Sequence, residues 1–394
     1  MDPTPESRRG LPEPDPAVAA HSNAVAQHVR DRIAAAGGSI SFAEFMHEVL
    51  YAPSLGYYSA GASKLGAAGD FVTAPEISPL FGRIVACQAA SVLEQLDGGD
   101  ILEPGAGSGA LAISVLTKLA ELDQLPERYL ILEVSADLKE RQETRLRREI
   151  PQFMERVSWI SQLPEKFCGV VIANEVADAI PVERFRIDGG KVMQACIGIA
   201  DNSFAWCFSA APDYLEAAVR EIEADIGHQL ADGYESEVSP ALAGWIGDLS
   251  SSMERGLILL IDYGVTRSEY YAPDRCSGWL RCHFRHHAHS DPLILPGIQD
   301  LTSWVDFSLV AAAANNMKVA GYITQAHFLM NGGLEAELSD FPNLPLEQQI
   351  ELSGQVKMLT LPAEMGENFK CIGLACGDIN VPPAFETTDR AHLL

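Results

Sequence analysis

The stretch Glu103-Pro104-Gly105-Ala106-Gly107-Ser108-Gly109-Ala110 sets three glycines at alternate positions just after a carboxylate. Glycine lets the backbone turn sharply and lets a ligand approach with no Cβ in the way. A helix that follows such a turn offers free N–H groups to the same ligand. The chemistry on offer is the binding of a nucleoside-bearing cofactor. Glu133, in Ile131-Leu132-Glu133-Val134-Ser135, is an acid of the type that accepts hydrogen bonds from two ribose hydroxyls. The sharpest group is Asn174-Glu175 with Asp178 three residues on. If a helix opens near Glu175, Asp178 lies one turn further on the same face. Two carboxylates there can hold a guanidinium, because an Arg–carboxylate pair is bidentate and charge-assisted. The plainer alternative for Asp178 is an acid that stabilises a helix N-terminus.

The pattern of apolar residues supplies a frame for these groups. Strands are expected at 100–102, 129–132, 157–160, 169–173 and 256–261, with helices at 111–122 and 137–149. Strands spaced by helices mean βαβ units and a parallel sheet. Apolar runs such as Val170-Val171-Ile172 and Leu257-Ile258-Leu259-Leu260-Ile261 fit strands covered on both faces. Upstream, a helix at 17–36 ends at Gly37-Gly38, and Ser41 with Glu44 forms a capping box. A loop-like stretch at 51–69 precedes a long apolar helix at 79–96. Residues 185–208 read as a hairpin or meander turning at Asp188-Gly189-Gly190. Residues 271–300 read as one long loop. A helix at 301–315, a strand at 319–323, a helix at 346–359 and a strand at 369–375 complete the chain.

The glycine turn fits two cofactors. Gly105, Gly107 and Ala110 can be laid on the G-x-G-x-x-A dinucleotide pattern. The same turn, from Glu103 through Gly109, can be laid on the E-x-G-x-G-x-G turn of class I methyltransferases, which bind S-adenosylmethionine. Glu103 would repel a pyrophosphate but suits the ammonium end of adenosylmethionine. Glu133 serves either cofactor. Asn174 and Glu175 close the fourth strand, and that edge of an open α/β sheet faces the ligand crevice. Polar groups ending so apolar a strand need partners.

Composition narrows the classes. The chain has 394 residues, with 28 Lys and Arg against 54 Asp and Glu, a formal net charge of −26. So acidic a balance argues against nucleic acid, because phosphate binding needs a basic field. The hydrophobic share of 47% excludes a mostly disordered chain. No apolar run reaches the roughly 18 residues that span a bilayer. The eight cysteines are scattered with no CxxC pair, which suits reduced thiols in a cytoplasmic compartment. The first residues lack the apolar region of a signal peptide and are too acidic for a transit peptide. Cys282, His283, His286, His287, His289 and Asp291 crowd one stretch, but their spacing fits no zinc pattern, so no metal is expected.

Taken together, the sequence resembles the MidA-like S-adenosylmethionine-dependent methyltransferases, whose mitochondrial members are complex I assembly factors acting as protein arginine methyltransferases. The resemblance covers roughly residues 40–376. It is carried by Leu50 to Tyr58, Gly69 to Ser78, the glycine turn and Asn174 to Val182. Asp262-Tyr263-Gly264, Leu280 to His283, Pro296 to Thr302, Thr324 to Leu329 and Met365 to Lys370 add to it. It departs at Ala110, where many members have a larger residue, and at Ala177, where Leu or Phe is common.

The resemblance implies an α/β fold: a class I methyltransferase Rossmann-like core with an N-terminal helical extension and an added α/β subdomain. The expected organisation is a disordered tail at 1–16 and a helical, cofactor-covering segment at 17–78. A core at 79–264 follows, with a β-hairpin insertion near 182–209, then a substrate-side loop and a sheet-completing segment at 265–394. The resemblance further implies that Gly69, Asp70 and Thr73 reach the cofactor, and it makes His283 a candidate for substrate positioning. The function expected is methylation of a protein arginine, with a respiratory complex I subunit as the family's substrate. Glu175 is the expected catalytic carboxylate, with Asp178 in support. Glu103, Gly105, Gly107, Gly109, Glu133 and Asn174 are expected to hold S-adenosylmethionine. The competing readings are a partner-holding protein that keeps the cofactor pocket and a nicotinamide-dependent oxidoreductase.

Overall fold

A computed structural model describes residues 10–59 and 72–394. Gly69 and Asp70 therefore lie outside the described residues. The described residues divide into two compact units, one of residues 10–59, 178–242 and 267–304, the other of residues 72–177, 243–266 and 305–394.

The second unit holds the large sheet. Its strands are β1 (Asp100–Pro104), β2 (Tyr129–Leu132), β3 (Val157–Ile160), β4 (Phe167–Asn174), β5 (Met253–Val265), β6 (Lys318–Thr324) and β7 (Phe369–Cys376). They lie in the order β6-β7-β5-β4-β1-β2-β3. The five strands from β3 to β5 pair in parallel, as the βαβ rhythm requires. The sheet is not wholly parallel: β7 runs antiparallel to both β5 and β6. Val170 to Ile172 and Leu257 to Ile261 are buried along their length, as strands covered on both faces should be. Each such aliphatic side chain contributes about 1.5–3 kcal/mol.

The helix Pro79–Leu96 starts on Ser78, whose hydroxyl accepts from Leu80 N–H, and stops at Asp97 with φ 57°. It buries Phe81, Ile84, Val85 and Leu93. It lies close against the helix Ala110–Glu121: a Cβ on Gly82 would fall 2.5 Å from Ser114 Cβ. The expected helix at 301–315 is shorter, Phe307–Ala313. Val305–Asp306 pairs with the end of β5 instead, and Asp306 Oδ1 then accepts from Ser308 and Leu309 N–H, which fixes the helix start.

The first unit holds a five-stranded sheet. Lys191–Ala200 has Ser203–Ala210 along one side, and Glu183–Asp188 and Ser39–Ser41 along the other. Glu235–Val238 pairs with Glu183–Asp188. The hairpin expected from Gly189-Gly190 forms, with φ of 56° and 76°. A second two-residue turn, Asp201-Asn202, has φ of 48° and 60°. The capping box is complete: Ser41 Oγ accepts from Glu44 N–H and Glu44 accepts from Ser41 N–H. It opens the helix Phe42–Tyr51, which packs Phe42, Phe45, Met46 and Val49 with Val25 and Val29 of the helix Pro16–Ala35. Just ahead of that first helix, Leu11 packs with Val18 against the cluster of Phe284, Ile294, Leu295 and Ile298.

Residues 271–300 are not one long loop. Arg281–Phe284 and His287–His289 form a hairpin, and Asp300–Thr302 pairs on its other side. The turn uses Arg285 at φ 47° and His286 at φ 63°.

Candidate active site

The glycine turn joins β1 to the helix Ala110–Glu121, and its three glycines all take left-handed φ: 64° at Gly105, 53° at Gly107 and 84° at Gly109. Side chains rarely adopt that conformation. Space is also short, since a Cβ would lie 3.2 Å from Val176 Cγ2 at Gly105 and 2.5 Å from Leu146 Cδ1 at Gly109.

Glu133 follows β2, as expected. Its Oε1 accepts from Ser135 N–H at 2.8 Å and its Oε2 from Gln142 Nε2 at 3.0 Å. Burial raises its pKa, against the pull of these donors. The Gln142 amide also donates to the Gly107 carbonyl at 2.9 Å, and its oxygen accepts from Trp159 Nε1 at 2.9 Å. Gln142 is fully buried in the otherwise charged helix Ala136–Glu149. Sequence reading passed over it because a glutamine among arginines and glutamates carries no signal of its own.

Glu103 is 3% exposed, and its Oε2 accepts from the Tyr129 hydroxyl at 2.6 Å. Burial pushes its pKa up to about 7, the Tyr129 hydrogen bond pulls it down, and the nearby Glu133 raises it. Near neutral pH this acid is therefore divided between its two charge states.

Asn174 ends β4, level with Ile261 on β5. The helix expected near Glu175 is absent: residues 175–180 form bends and a turn. Glu175 takes φ 52°, with its N–H donating to Ile261 O at 2.9 Å. Its Oε1 accepts from Ala74 N–H at 3.1 Å and from Asn174 Nδ2 at 3.2 Å. Thr73 precedes that N–H as the cap of the short helix Ala74–Ile77. The turn after Glu175 is held by Asp262, a residue the resemblance contained without a role. Fully buried in β5 just past the apolar run Leu257 to Ile261, Asp262 accepts from Ala177 N–H and Tyr263 N–H, both at 2.9 Å. Its signal was close to the one that marked Asn174, a polar group directly after an apolar run.

A bound adenosylmethionine fits these residues. Asn174 Oδ1 is buried with no hydrogen-bond partner among the described residues. A buried acceptor in that state costs about 1–3 kcal/mol. The ammonium group of adenosylmethionine is a donor of the kind it lacks.

Asp178 begins the second segment of the first unit, is 7% exposed, and its carbonyl accepts from Ser303 N–H. In the same unit Tyr58 donates to Asp300 Oδ1 at 2.9 Å, and Tyr51 donates to Ala179 O at 2.9 Å. Burial, then Asp300, then Tyr51 and Asp178 raise the Tyr58 pKa well above its ordinary value. His283 sits between Asp300 and Ala288 in the three-stranded sheet. The neighbouring histidines belong to the same hairpin, His286 in its turn and His287 and His289 on its second strand.

A mixed sheet of this order, with a glycine turn after β1 and an acid after β2, is the frame of a class I S-adenosylmethionine-dependent methyltransferase. The profile of Methyltransf_28, S-adenosyl-L-methionine-dependent methyltransferases, matches residues 84–323, and the chain belongs to that family. It is 30% identical to the mitochondrial protein arginine methyltransferase NDUFAF7 homolog of Drosophila melanogaster, over 95% of this chain and 90% of that one. Against the mitochondrial protein arginine methyltransferase NDUFAF7 of Homo sapiens it is 32% identical, covering 86% and 80%. It resembles the crystal structure of a COG1565 superfamily member from Burkholderia thailandensis bound to S-adenosyl-homocysteine, with TM-score 0.91 and 37% identity over 98% and 100% of the two chains. The protein is thus an S-adenosylmethionine-dependent methyltransferase.

Proposed function

We propose that this methyltransferase acts on an arginine side chain of a protein substrate and that Glu175 orients the guanidinium. The observation that carries the reading is the setting of Glu175. It closes β4 at the crevice edge of the sheet, in a left-handed conformation costly for a residue with a Cβ, with one carboxylate oxygen fixed by Ala74 N–H and Asn174. The name borne by the relatives, protein arginine methyltransferase, supports the same substrate class.

When bound, adenosylmethionine supplies a methyl group already activated on a sulfonium. The protein has to place a nucleophile against it and exclude water. A guanidinium is protonated at neutral pH and offers no free lone pair. A fixed carboxylate orients it and stabilises the charge as one proton leaves. Glu175 serves that role in this proposal, with Asp178 as the second acid and His283 as a substrate-positioning residue. Gly105, Gly107, Gly109, Glu103, Glu133, Asn174 and Thr73 hold the cofactor. Gly69 and Asp70 are carried as cofactor residues by the resemblance alone. The proposed substrate is a respiratory complex I subunit, again by resemblance, and the proposed compartment is the cytoplasm.

The test is incubation of the purified protein and isolated complex I subunits with methyl-tritiated adenosylmethionine, followed by acid hydrolysis and amino-acid analysis. Label in methylarginine is expected. Label confined to another residue type would overturn the arginine reading, and binding of S-adenosylhomocysteine without transfer to any subunit would favour the partner-holding one.

A further inference from the structure

The helix Ala74–Ile77 is a single turn, and its first N–H is the one that holds Glu175 Oε1. One turn of helix does not stand by itself, because its few hydrogen bonds do not repay the ordering of its backbone. Thr73 gives it no side-chain cap. Ala74 is buried, and Ile77 packs against the core of the second unit. Burial is non-directional, so it does not by itself aim the Ala74 N–H.

A polar network supplies the direction. Glu76 Oε1 accepts from the Ser108 hydroxyl and from Arg145 Nη1, the latter at 2.9 Å. Arg145 Nη1 also donates to Ser108 Oγ at 2.6 Å. Ser108 stands between Gly107 and Gly109 in the glycine turn, and Arg145 lies on the helix Ala136–Glu149. Other arginines of that helix stay on its own surface: Arg141 pairs with Asp137 and Arg147 with Glu143, each one turn back. Arg145 gives Nε to Glu149 in the same manner but turns Nη1 off the helix. The Arg145 and Glu76 side chains are 29% and 20% exposed, so their pair is stronger than one on an open surface and still feels salt.

The glycine turn, the helix Ala136–Glu149 and the one-turn helix thus meet at Glu76, all within the second unit. We propose that Arg145, acting through Glu76, is a positioning residue for methyl transfer. It aims the one-turn helix whose Ala74 N–H fixes Glu175, and it mounts that helix on the turn that holds the cofactor. The acid and the methyl donor then share one frame, which is what a transfer between oriented groups asks of the protein. This role rests on that of Glu175 proposed above. Gln142 already ties the glycine turn to Glu133, so loss of Arg145 should disturb Glu175 and spare cofactor affinity.

The test compares the full chain with Arg145→Met, which keeps the apolar stem and removes charge and donors, and with Arg145→Lys. Hydrogen exchange read by mass spectrometry reports the one-turn helix without any substrate. With S-adenosylhomocysteine bound, a peptide spanning residues 73–78 should exchange about tenfold faster in Arg145→Met, while peptides from β1 and β4 keep the parent rate. S-adenosylhomocysteine affinity should stay within about threefold of the parent, while kcat with the complex I subunits falls about 10- to 30-fold. Arg145→Lys retains one charged donor and should recover kcat at least about threefold over Arg145→Met. In the Glu175→Gln background, Arg145→Met should change the remaining turnover by less than about twofold, because its effect runs through Glu175. Unchanged exchange of the 73–78 peptide, a loss of affinity as large as the loss of kcat, or the same fold-loss in both Glu175 backgrounds would overturn the positioning role. Full activity of Glu175→Gln alone would overturn the catalytic reading itself, and this role with it.

Discussion

Gln142 Nε2 stands 3.0 Å from the Glu133 carboxylate while also donating to the Gly107 carbonyl, so one amide locks the acid after β2 to the glycine turn after β1. Replacing Gln142 by Leu keeps the volume but leaves both acceptors without that donor. A lost hydrogen bond to a charged group is worth about 1.5–3 kcal/mol. S-adenosylhomocysteine affinity should therefore fall about 10- to 100-fold in calorimetric titration, with the fold intact by circular dichroism. An unchanged affinity would show that the glycine turn holds its shape without this tie.

Glu175→Gln separates binding from chemistry. The amide keeps an oxygen for Ala74 N–H, so S-adenosylhomocysteine should bind within about threefold of the parent. Turnover should drop by about 100-fold or more, the scale for a group that manages charge and protons in a transition state. Full activity in this variant would remove Glu175 from the mechanism.

Glu103 makes stability depend on pH in an uncommon direction for a carboxylate. Its folded pKa is raised from 4.5 to about 7, so the folded state holds the proton more tightly than the unfolded chain. Its contribution is fully present below the unfolded value and is lost as pH rises through the folded one. Glu103→Gln, which stays neutral and can still accept from Tyr129, should raise the Tm of the cofactor-free protein at pH 8. The advantage, on the order of a few kcal/mol, should shrink to little at pH 4.5. An advantage that grew on acidification would contradict the buried setting of Glu103.

Asp262 anchors the turn that presents Glu175. In Asp262→Ala, two backbone N–H groups, those of Ala177 and Tyr263, lose their acceptor. The urea midpoint should fall by the equivalent of about 2–4 kcal/mol. Asp262→Asn retains one acceptor oxygen and should lose roughly half as much. Equal losses in the two variants would point to the charge rather than the hydrogen bonds.

What the sequence made legible was whatever local pattern decides. Apolar runs marked β4 and β5, glycines marked the cofactor turn, and Ser41 with Glu44 marked a helix start. What escaped depends on partners far along the chain. The direction of β7 is written nowhere in Phe369–Cys376, since a strand's own residues do not say which way its neighbours run. The hairpin at 281–289 was invisible because Arg285 and His286 take left-handed φ without the glycine or asparagine that usually announces such a turn. The same holds for Glu175, whose φ of 52° displaced the expected helix: Ile261 O holds its N–H and Ala74 N–H draws its side chain away. Gln142 looked like one polar residue among many on a charged helix, and only burial distinguishes it.

The order in which the chain leaves the ribosome meets an obstacle in this topology. Ser39–Ser41 is made early, yet its partners Cys196–Gly198 come only after β1 to β4 have been synthesised. β5 in turn arrives before the last piece of the first unit, and β6 and β7 after it. Neither unit can be finished before synthesis of the other has begun. Pairing between such distant segments is slow and leaves strand edges exposed in the meantime. Nascent chains of this protein should thus carry long-lived unpaired strands, which makes them natural clients for chaperones, and no single cut in the gene would release either half as a folded piece.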